Sequence, residues 1–267
     1  MTDNTQPQVF TNRWANSVGP NTDTSPQDFC TCVPGNRTRG RAAHVPHFHR
    51  ELQDITAPGW LRLLELVDEA AEDGREEFRP LVELTAEQRR QIVTLPASIA
   101  KLTAVKHLDL YRSNLVRIPP EIGMMRSLEE FTPYTSYRLH WFPYEITRCP
   151  ALRRSTVSTR ALYGNYKVRS PFPALPAPGD AAADLPGTDP AVRGATEIRS
   201  CSVCDGPVDG TALRQVWISL RTSGADVLPL LVNACSAACV DALPTPTDGY
   251  IQEPHTGGPG VVQPPRR

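Results

Sequence analysis

Apolar residues first recur at a regular spacing beyond residue 58. A helical period joins the apolar side chains of Trp60, Leu63, Leu64, Val67, Ala70 and Ala71. Acidic residues occupy the opposite side, and Gly74 provides a stop signal. A second short helix is predicted near Thr85, because Thr85-x-x-Gln88 fits a capping box. The two helices would cover the apolar end of whatever structure follows.

A longer apolar pattern then occurs three times. The first pass contains Ile92, Leu95, Ile99, Leu102, Val105, Leu108 and Leu110. The second contains Leu115, Ile118, Ile122, Met125, Leu128 and Phe131, and the third contains Leu139, Phe142, Ile146, Cys149 and Leu152. The turn pairs Leu95-Pro96, Ile118-Pro119 and Phe142-Pro143 are 23 and 24 residues apart. A fixed period in this range predicts a solenoid, whose coils must stack because each is too small to bury its own apolar face.

The pattern resembles the 23-residue intracellular type of leucine-rich repeat, over about seventy residues. The resemblance implies an α/β solenoid with parallel strands on its concave side, capped by helices at the N-terminal end. Three positions depart from the family pattern. Ser113 replaces the usual Asn, Pro133 occupies an inward position, and Ser155 stands where Leu is normal. We therefore expect a short stack of about three coils that closes soon after Val157.

Proteins of this family are mostly binding scaffolds, and the resemblance implies that the exposed strand positions contact a partner. These positions are Lys106, His107, Asp109, Tyr111, Glu130, Thr132, Tyr134, Arg153, Arg154 and Thr156. The segment 134–144 adds several aromatic residues, which commonly anchor interfaces together with Arg. Each of these rings could instead fill the core of the third coil.

Four cysteines near the C-terminus form two close pairs. Cys201-x-x-Cys204 and Cys235-x-x-x-Cys239 are separated by thirty residues, in which 213–220 and 227–234 are predicted to be two strands. Two such pairs suit tetrahedral Zn²⁺ with four sulfur ligands and no open position for a catalytic water. The order of knuckle, hairpin and short helix resembles a treble-clef zinc finger. We predict a structural zinc ion, with disulfides or a redox dithiol as the alternatives.

Proline and glycine are concentrated at the two ends of the chain and near residue 180. The 267 residues include 27 Pro and 17 Gly, and such segments bury too little apolar surface to offset the entropy of ordering. The predicted division is a disordered region 1–58, a repeat domain with a helical cap 59–170, a linker 171–199, a zinc-binding module 200–244 and a disordered tail 245–267. Within the first region, a metal could be recruited by Cys30, Cys32, His44, His47 and His49, although a random cluster is the alternative.

Charge is unevenly distributed, although the net charge is −1. Residues 101–169 contain twelve Lys and Arg against five Asp and Glu, whereas 180–241 contain eight acidic residues and four arginines. The central excess favours a partner with an acidic surface, although ordinary solvated surface can have the same composition. The acidic balance of the zinc module disfavours nucleic acid as a ligand there, because a phosphate-binding surface needs the opposite sign.

No motif of a known catalytic site stands out, so no catalytic residue is predicted. The main hypothesis is a non-catalytic intracellular protein-binding or adaptor protein. Two alternatives stay open: a nucleic-acid-associated protein using the basic run 148–169, and an effector enzyme using Cys149 or a zinc-site thiol. We expect a cytoplasmic protein without a membrane partner, because the sequence has no secretory signal and no span of bilayer length, and paired cysteines suit a reducing compartment.

Overall fold

A computed structural model describes residues 48–177, 189–208, 212–223 and 226–265. The predictions for residues 1–47, including the possible metal ligands Cys30, Cys32, His44 and His47, lie outside the described residues. The described chain contains a four-stranded parallel sheet, a second sheet of three strands, and few helices.

The two N-terminal helices are confirmed. Helix α1 (Pro58–Asp73) is capped at its C-terminal end by Gly74, whose φ of 67° places it in the left-handed region. Its buried side chains include Leu63, Leu66 and Val67, which pack into the main apolar core. Helix α2 (Ala86–Arg90) begins with the predicted capping box between Thr85 and Gln88. Both helices therefore lie where their apolar stripe and cap signals indicate.

The first sheet consists of four short parallel strands in the order β1-β2-β3-β5. They are β1 (Glu77–Phe78), β2 (His107–Asp109), β3 (Glu130–Thr132) and β5 (Arg154–Ser155). His107 is paired with Glu130, which is paired in turn with Arg154. Paired residues on successive strands are thus 23 and then 24 positions apart in the sequence. Strand β1 was not predicted, because it precedes the first pass of the apolar pattern.

A 3₁₀ helix lies in each of the three connections that follow the turn prolines. These helices are Ala97–Lys101, Pro120–Met124 and Tyr144–Arg148, and each packs on the next. Each buries one isoleucine completely or nearly so: Ile99, Ile122 or Ile146. The short 3₁₀ form suits a connection that must return to the next strand within a few residues.

Serine hydroxyls connect successive passes at the ends of the strands. Ser113 Oγ lies 2.7 Å from Ser136 Oγ, which also donates to the carbonyl of Leu110 at 3.1 Å. Ser158 Oγ accepts a hydrogen bond from the amide of Thr135 at 2.8 Å. The Ser113 hydroxyl thus bonds to Ser136, whose own hydroxyl accepts from the amide of Ser113 and donates to the carbonyl of Leu110.

The second sheet joins the C-terminal hairpin to the third pass of the apolar pattern. Strands β6 (Arg214–Ser223) and β7 (Asp226–Ala234) are antiparallel and confirm the two predicted strands. Strand β4 (Phe142–Pro143) pairs with β7 in parallel, so that the sheet order is β4-β7-β6. As a result, one apolar core extends from α1 through the parallel sheet into the hairpin.

A second core lies on the other side of the hairpin. We call it the aromatic cluster; it consists of Phe48, Trp141, Tyr163, Phe172, Leu175, Val192, Trp217 and Leu231. Trp217 is fully buried at its centre. Phe172, Leu175 and Val192 come from the segment predicted to be a linker, so the described parts of that segment are packed against the hairpin.

Residues 245–265 also pack against the hairpin, which differs from the predicted disordered tail. Trp217 donates to the carbonyl of His255 at 2.8 Å, and His255 donates back at 3.1 Å. The amide of Thr247 donates to the carbonyl of Ser219 at 2.9 Å. Because β6 is the outer strand of its sheet, its backbone groups need partners, and this segment supplies them.

Candidate metal centre and strand face

The four predicted metal ligands lie together in one cluster. The Sγ atoms of Cys201, Cys204, Cys235 and Cys239 are all within 4.8 Å of one another. Two of the separations, Cys204 to Cys235 and Cys235 to Cys239, are 3.6 Å. All four cysteines are free thiols. Such a cluster could hold a metal ion.

Two local structures bring the cysteine pairs together. The first pair lies on a tight turn, in which the amide of Cys201 donates to the carbonyl of Gly206 at 2.8 Å and Asp205 has a φ of 60°. The second pair lies at the start of helix α3 (Ala237–Asp241), as predicted. Ser236 is the N-cap of this helix and accepts a hydrogen bond from the amide of Cys239 at 3.2 Å.

Backbone amides also point at the most buried sulfur. The amides of Val203 and Cys235 each lie 3.4 Å from Cys201 Sγ. Burial opposes ionisation of this thiol, but hydrogen bonds from neighbouring amides outweigh it and lower the pKa of Cys201 to about 7. The adjacent thiols of Cys239 and Cys204 raise the pKa of Cys235 to about 12. If all four thiols are ionised, a cation among the sulfurs is therefore needed to offset the repulsion between their negative charges.

The spacing of the sulfurs fits a tetrahedral ion. With Zn–S bonds of about 2.3 Å, the ligand sulfurs of a tetrahedral site are about 3.8 Å apart. The 3.6 Å separations and the 4.8 Å limit require only small adjustments toward that geometry. An all-sulfur donor set selects a thiophilic ion rather than Mg²⁺ or Ca²⁺.

The turn that carries Cys201 and Cys204 is fixed to the 3₁₀ helix Tyr144–Arg148. This helix belongs to the segment that contains the three passes of the apolar pattern (92–152), which we call the repeated segment. Arg148 donates to the carbonyl of Ser202 at 2.7 Å and forms an ion pair with Asp205 at 2.6 Å. Ser202 Oγ donates to Glu145 Oε1 at 2.7 Å and accepts from the amide of Asn233 at 2.9 Å. Burial raises the pKa of the Glu145 carboxyl. This polar bridge was not predicted, since no local pattern links residues 145–148 to residues 202–205.

The predicted partner-binding positions, which we call the strand face, differ widely in exposure. Thr132 has no exposed surface, and Asp109 and Glu130 are also buried. Lys106, His107, Tyr111 and Thr156 are half-buried. The exposed positions are Tyr134, with 40% of its surface accessible, and Arg153 and Arg154. Accessible surface is therefore concentrated at the end of the sheet formed by β3 and β5.

Ion pairs between neighbouring strands cover the buried positions of the strand face. Asp109 lies 3.3 Å from Arg79, and Glu130 lies 2.6 Å from Arg154. Further pairs join Lys106 to Glu76 and Arg153 to Glu129. His107 Nε2 lies 3.2 Å from the hydroxyl of Thr132. Long side chains from one strand thus cover shorter ones on the next, an effect that the alternation of residues along a single strand does not reveal.

Cys149, the candidate nucleophile of one alternative hypothesis, is a core residue. Its thiol is buried and lies 3.2 Å from the carbonyl of Ile122. Burial raises its pKa to about 11. A thiol in this environment is a poor nucleophile.

No protein-family model matches the chain, and no curated protein sequence matches it significantly. None of the helices among the described residues has the length and apolar character needed to cross a membrane.

Proposed function

We propose that the protein is a non-catalytic, cytoplasmic protein-binding protein of the leucine-rich-repeat type, whose C-terminal hairpin is held by structural zinc. The observation that carries the proposal is the register of the parallel sheet. His107, Glu130 and Arg154 lie side by side at the same 23- to 24-residue interval as the turn prolines. The stacked 3₁₀ helices and the serine hydroxyls that link successive passes support the same short α/β solenoid.

Zinc is the metal best suited to the four sulfurs. Their mutual distances fit tetrahedral coordination, and the ligands leave no vacant position for a substrate or water. The buried and weakly acidic thiol of Cys149 adds no alternative nucleophile. These observations favour a structural rather than a catalytic metal.

Partner binding is best supported at the exposed end of the strand face. Tyr134 stacks against Tyr111 with ring centroids 6.2 Å apart, which presents a broad aromatic surface. Arg153 and Arg154 lie on the adjacent strand with 72% and 60% of their side chains exposed. The pair of Arg153 with Glu129 is solvated and therefore weak, so an acidic partner surface can compete for the Arg153 guanidinium. Arg154 also covers buried Glu130, but most of its own side chain faces solvent and can meet a partner.

The test is affinity capture with the full chain, comparing Tyr134→Ala plus Arg154→Ala with wild type. The expected result is a specific partner that the double variant loses. A matched control is Tyr166→Ala plus Lys167→Ala, which removes one exposed aromatic and one exposed cation outside the strand face. Equal loss of the partner in the control, or retention by both variants, would contradict binding through the strand face.

A further inference from the structure

A short N-terminal segment crosses the described chain between its two ends. We call residues 48–54 the strap. At one end, Gln53 donates to the carbonyl of Gln91 at 3.0 Å and accepts from the amide of Val93 at 2.9 Å, next to helix α2. At the other end, Phe48 enters the aromatic cluster beside Trp217. The strap therefore spans from the N-terminal helices to the C-terminal hairpin.

Phe48 occupies a three-sided aromatic pocket. Its ring stacks on Trp217 with centroids 5.7 Å apart, and it meets the edges of Trp141 and Tyr163 at 6.0 and 6.4 Å. Only 3% of its surface is exposed. A deeply buried aromatic ring that is surrounded by other rings is the usual form of an interface anchor.

The walls of this pocket are supported without Phe48. Trp217 belongs to strand β6, and its Nε1 donates to the carbonyl of Pro173 at 3.0 Å. Tyr163 is fixed by a backbone hydrogen bond to His140 at 3.1 Å. Trp141 immediately precedes strand β4. Each wall of the pocket thus has contacts of its own besides Phe48, and walls that are held in place lower the cost of binding a ligand.

A polar site lies directly beside the aromatic pocket. Arg138, whose side chain is 13% exposed, pairs with Glu51 of the strap and donates to Asn114 Oδ1 at 2.8 Å. His140 Nδ1 lies 2.6 Å from the carbonyl of Ala161, so this nitrogen must carry a proton. In its neutral form, His140 then accepts through Nε2 from His49 Nε2, 3.1 Å away.

We call the aromatic pocket and the adjoining polar site together the groove. The strap contacts the groove through Phe48, His49 and Glu51. Arg50 and Leu52 are exposed to solvent. Side-chain anchors separated by exposed residues are the pattern by which an extended peptide is recognised. The strap is covalently part of the chain, but its side-chain contacts are of the kind that a bound peptide makes.

We propose that this groove is a docking site for a linear segment of a partner protein, with an aromatic residue followed three positions later by a carboxylate. The aromatic residue enters the pocket of Trp141, Tyr163 and Trp217, and the carboxylate pairs with Arg138. The strap, with Phe48 and Glu51 at the same spacing, occupies the groove when the partner is absent. The site is separate from the strand face, so the two proposals can fail independently.

The first experiment measures binding of a labelled peptide of residues 48–56 to the full chain by fluorescence anisotropy. In wild type the strap competes for the groove at a high effective concentration, so binding in trans is weak. Phe48→Ala removes the competing anchor and is expected to tighten peptide binding about tenfold or more. Leu52→Ala, which alters an exposed strap side chain, is the matched control and should behave as wild type.

Peptide specificity completes this experiment. A peptide carrying Phe48→Ala should bind neither the wild-type chain nor the Phe48→Ala variant. If the Phe48→Ala chain unfolds cooperatively as wild type does and binds the normal peptide no more tightly than the Leu52→Ala control, the proposal is overturned.

A charge exchange tests the groove without changing the buried anchor. Glu51→Arg in the full chain weakens the strap at an exposed side chain and should increase peptide binding relative to wild type. Adding Arg138→Glu allows the strap pair to re-form with reversed charges, so binding of the normal peptide should return to the wild-type level or below. Failure of the Glu51→Arg chain to gain binding would show that the strap is a fixed part of the core.

Discussion

The repeated segment and the C-terminal hairpin bury similar apolar side chains but are stabilised in different ways. In the repeated segment, each pass is covered by the next, and Ile99, Ile122 and Ile146 occupy equivalent buried positions. Within the part of the chain that the structure describes, the hairpin has no such series of neighbours. Strand β4 and the segment 245–265 bond to its two strands instead, and the polar bridge from Glu145 and Arg148 joins it to the repeated segment. A regular sequence pattern therefore reveals the first kind of stabilisation much more readily than the second.

The largest expected effect comes from breaking the metal centre. Cys201→Ser should remove the bound metal and lower the free energy of unfolding by about 3 kcal/mol or more, because structural zinc binding is coupled directly to folding. Since β4 and the polar bridge join the hairpin to the repeated segment, the whole described chain should unfold in one weakened transition. Thermal or denaturant unfolding monitored by circular dichroism measures this change.

A buried cysteine outside the cluster provides the control for that prediction. Cys149→Ser should retain the metal and cost only about 1–2 kcal/mol, the usual range for introducing a buried hydroxyl. An unchanged transition in Cys201→Ser, or an equal loss of metal in Cys149→Ser, would contradict a cysteine-bound metal that stabilises the fold.

The second expected effect is a loss of stability in acid that originates at the hairpin. Burial lowers the pKa of His255 from 6.5 to about 4, and its ring packs edge-on against Phe172 at 4.7 Å. As pH falls from about 6.5 toward 4, the unfolded chain takes up a proton that the folded chain does not. Stability should fall across this window by up to about 3 kcal/mol.

His255→Gln isolates this contribution from other acid effects, including protonation of the cysteine sulfurs. The glutamine side chain can still accept a hydrogen bond, as His255 Nδ1 does from the amide of Gly257 at 3.1 Å. The variant should show a shallower decline in unfolding free energy between about pH 6.5 and 4. Identical pH profiles for the two proteins would show that His255 is not buried in its neutral form.

The third prediction concerns the close stacking of the repeated segment. A Cβ atom at Gly123 would lie 2.6 Å from the carbonyl oxygen of Glu145 on the next 3₁₀ helix. Gly123→Ala should therefore force the neighbouring passes apart and cost about 1–3 kcal/mol in denaturant unfolding. Gly260→Ala is the matched control, because its Cβ would meet nothing within 4 Å. Equal stability of the two variants would count against tight stacking at this position.

The smallest expected effect comes from weakening the polar bridge. Arg148→Ala removes the contacts to Ser202 and Asp205 and should lower metal affinity about tenfold, in line with other residues that orient metal ligands indirectly. Arg160→Ala, at an exposed position, should leave metal affinity unchanged. Competition with a chelator measures both affinities, and equal values would show that the bridge does not support the metal site.

Local sequence signals identified much of the architecture. The stripe and stop of α1, the capping box at Thr85 and the two hairpin strands are confirmed. The spacing of the cysteines also predicted the cluster, because two pairs on a turn and a helix start converge once the hairpin between them closes. Each of these features depends on residues close in sequence or on a single hairpin.

Several features that depend on contacts between distant residues were not predicted. The pairing of β4 with β7 joins residues almost ninety positions apart. The burial of Asp109, Glu130 and Thr132 depends on side chains from adjacent strands. The segment 245–265 is polar and rich in proline, but the outer edge of β6 supplies hydrogen-bonding partners that its composition does not indicate.

X-ray absorption at the zinc edge, with metal analysis of the purified full chain, tests the central claim most directly. The proposed centre predicts about one zinc ion per chain, with four sulfur ligands at about 2.3 Å. A folded chain without metal, or a zinc ion with nitrogen or oxygen ligands, would contradict the assignment of Cys201, Cys204, Cys235 and Cys239 as the structural metal centre.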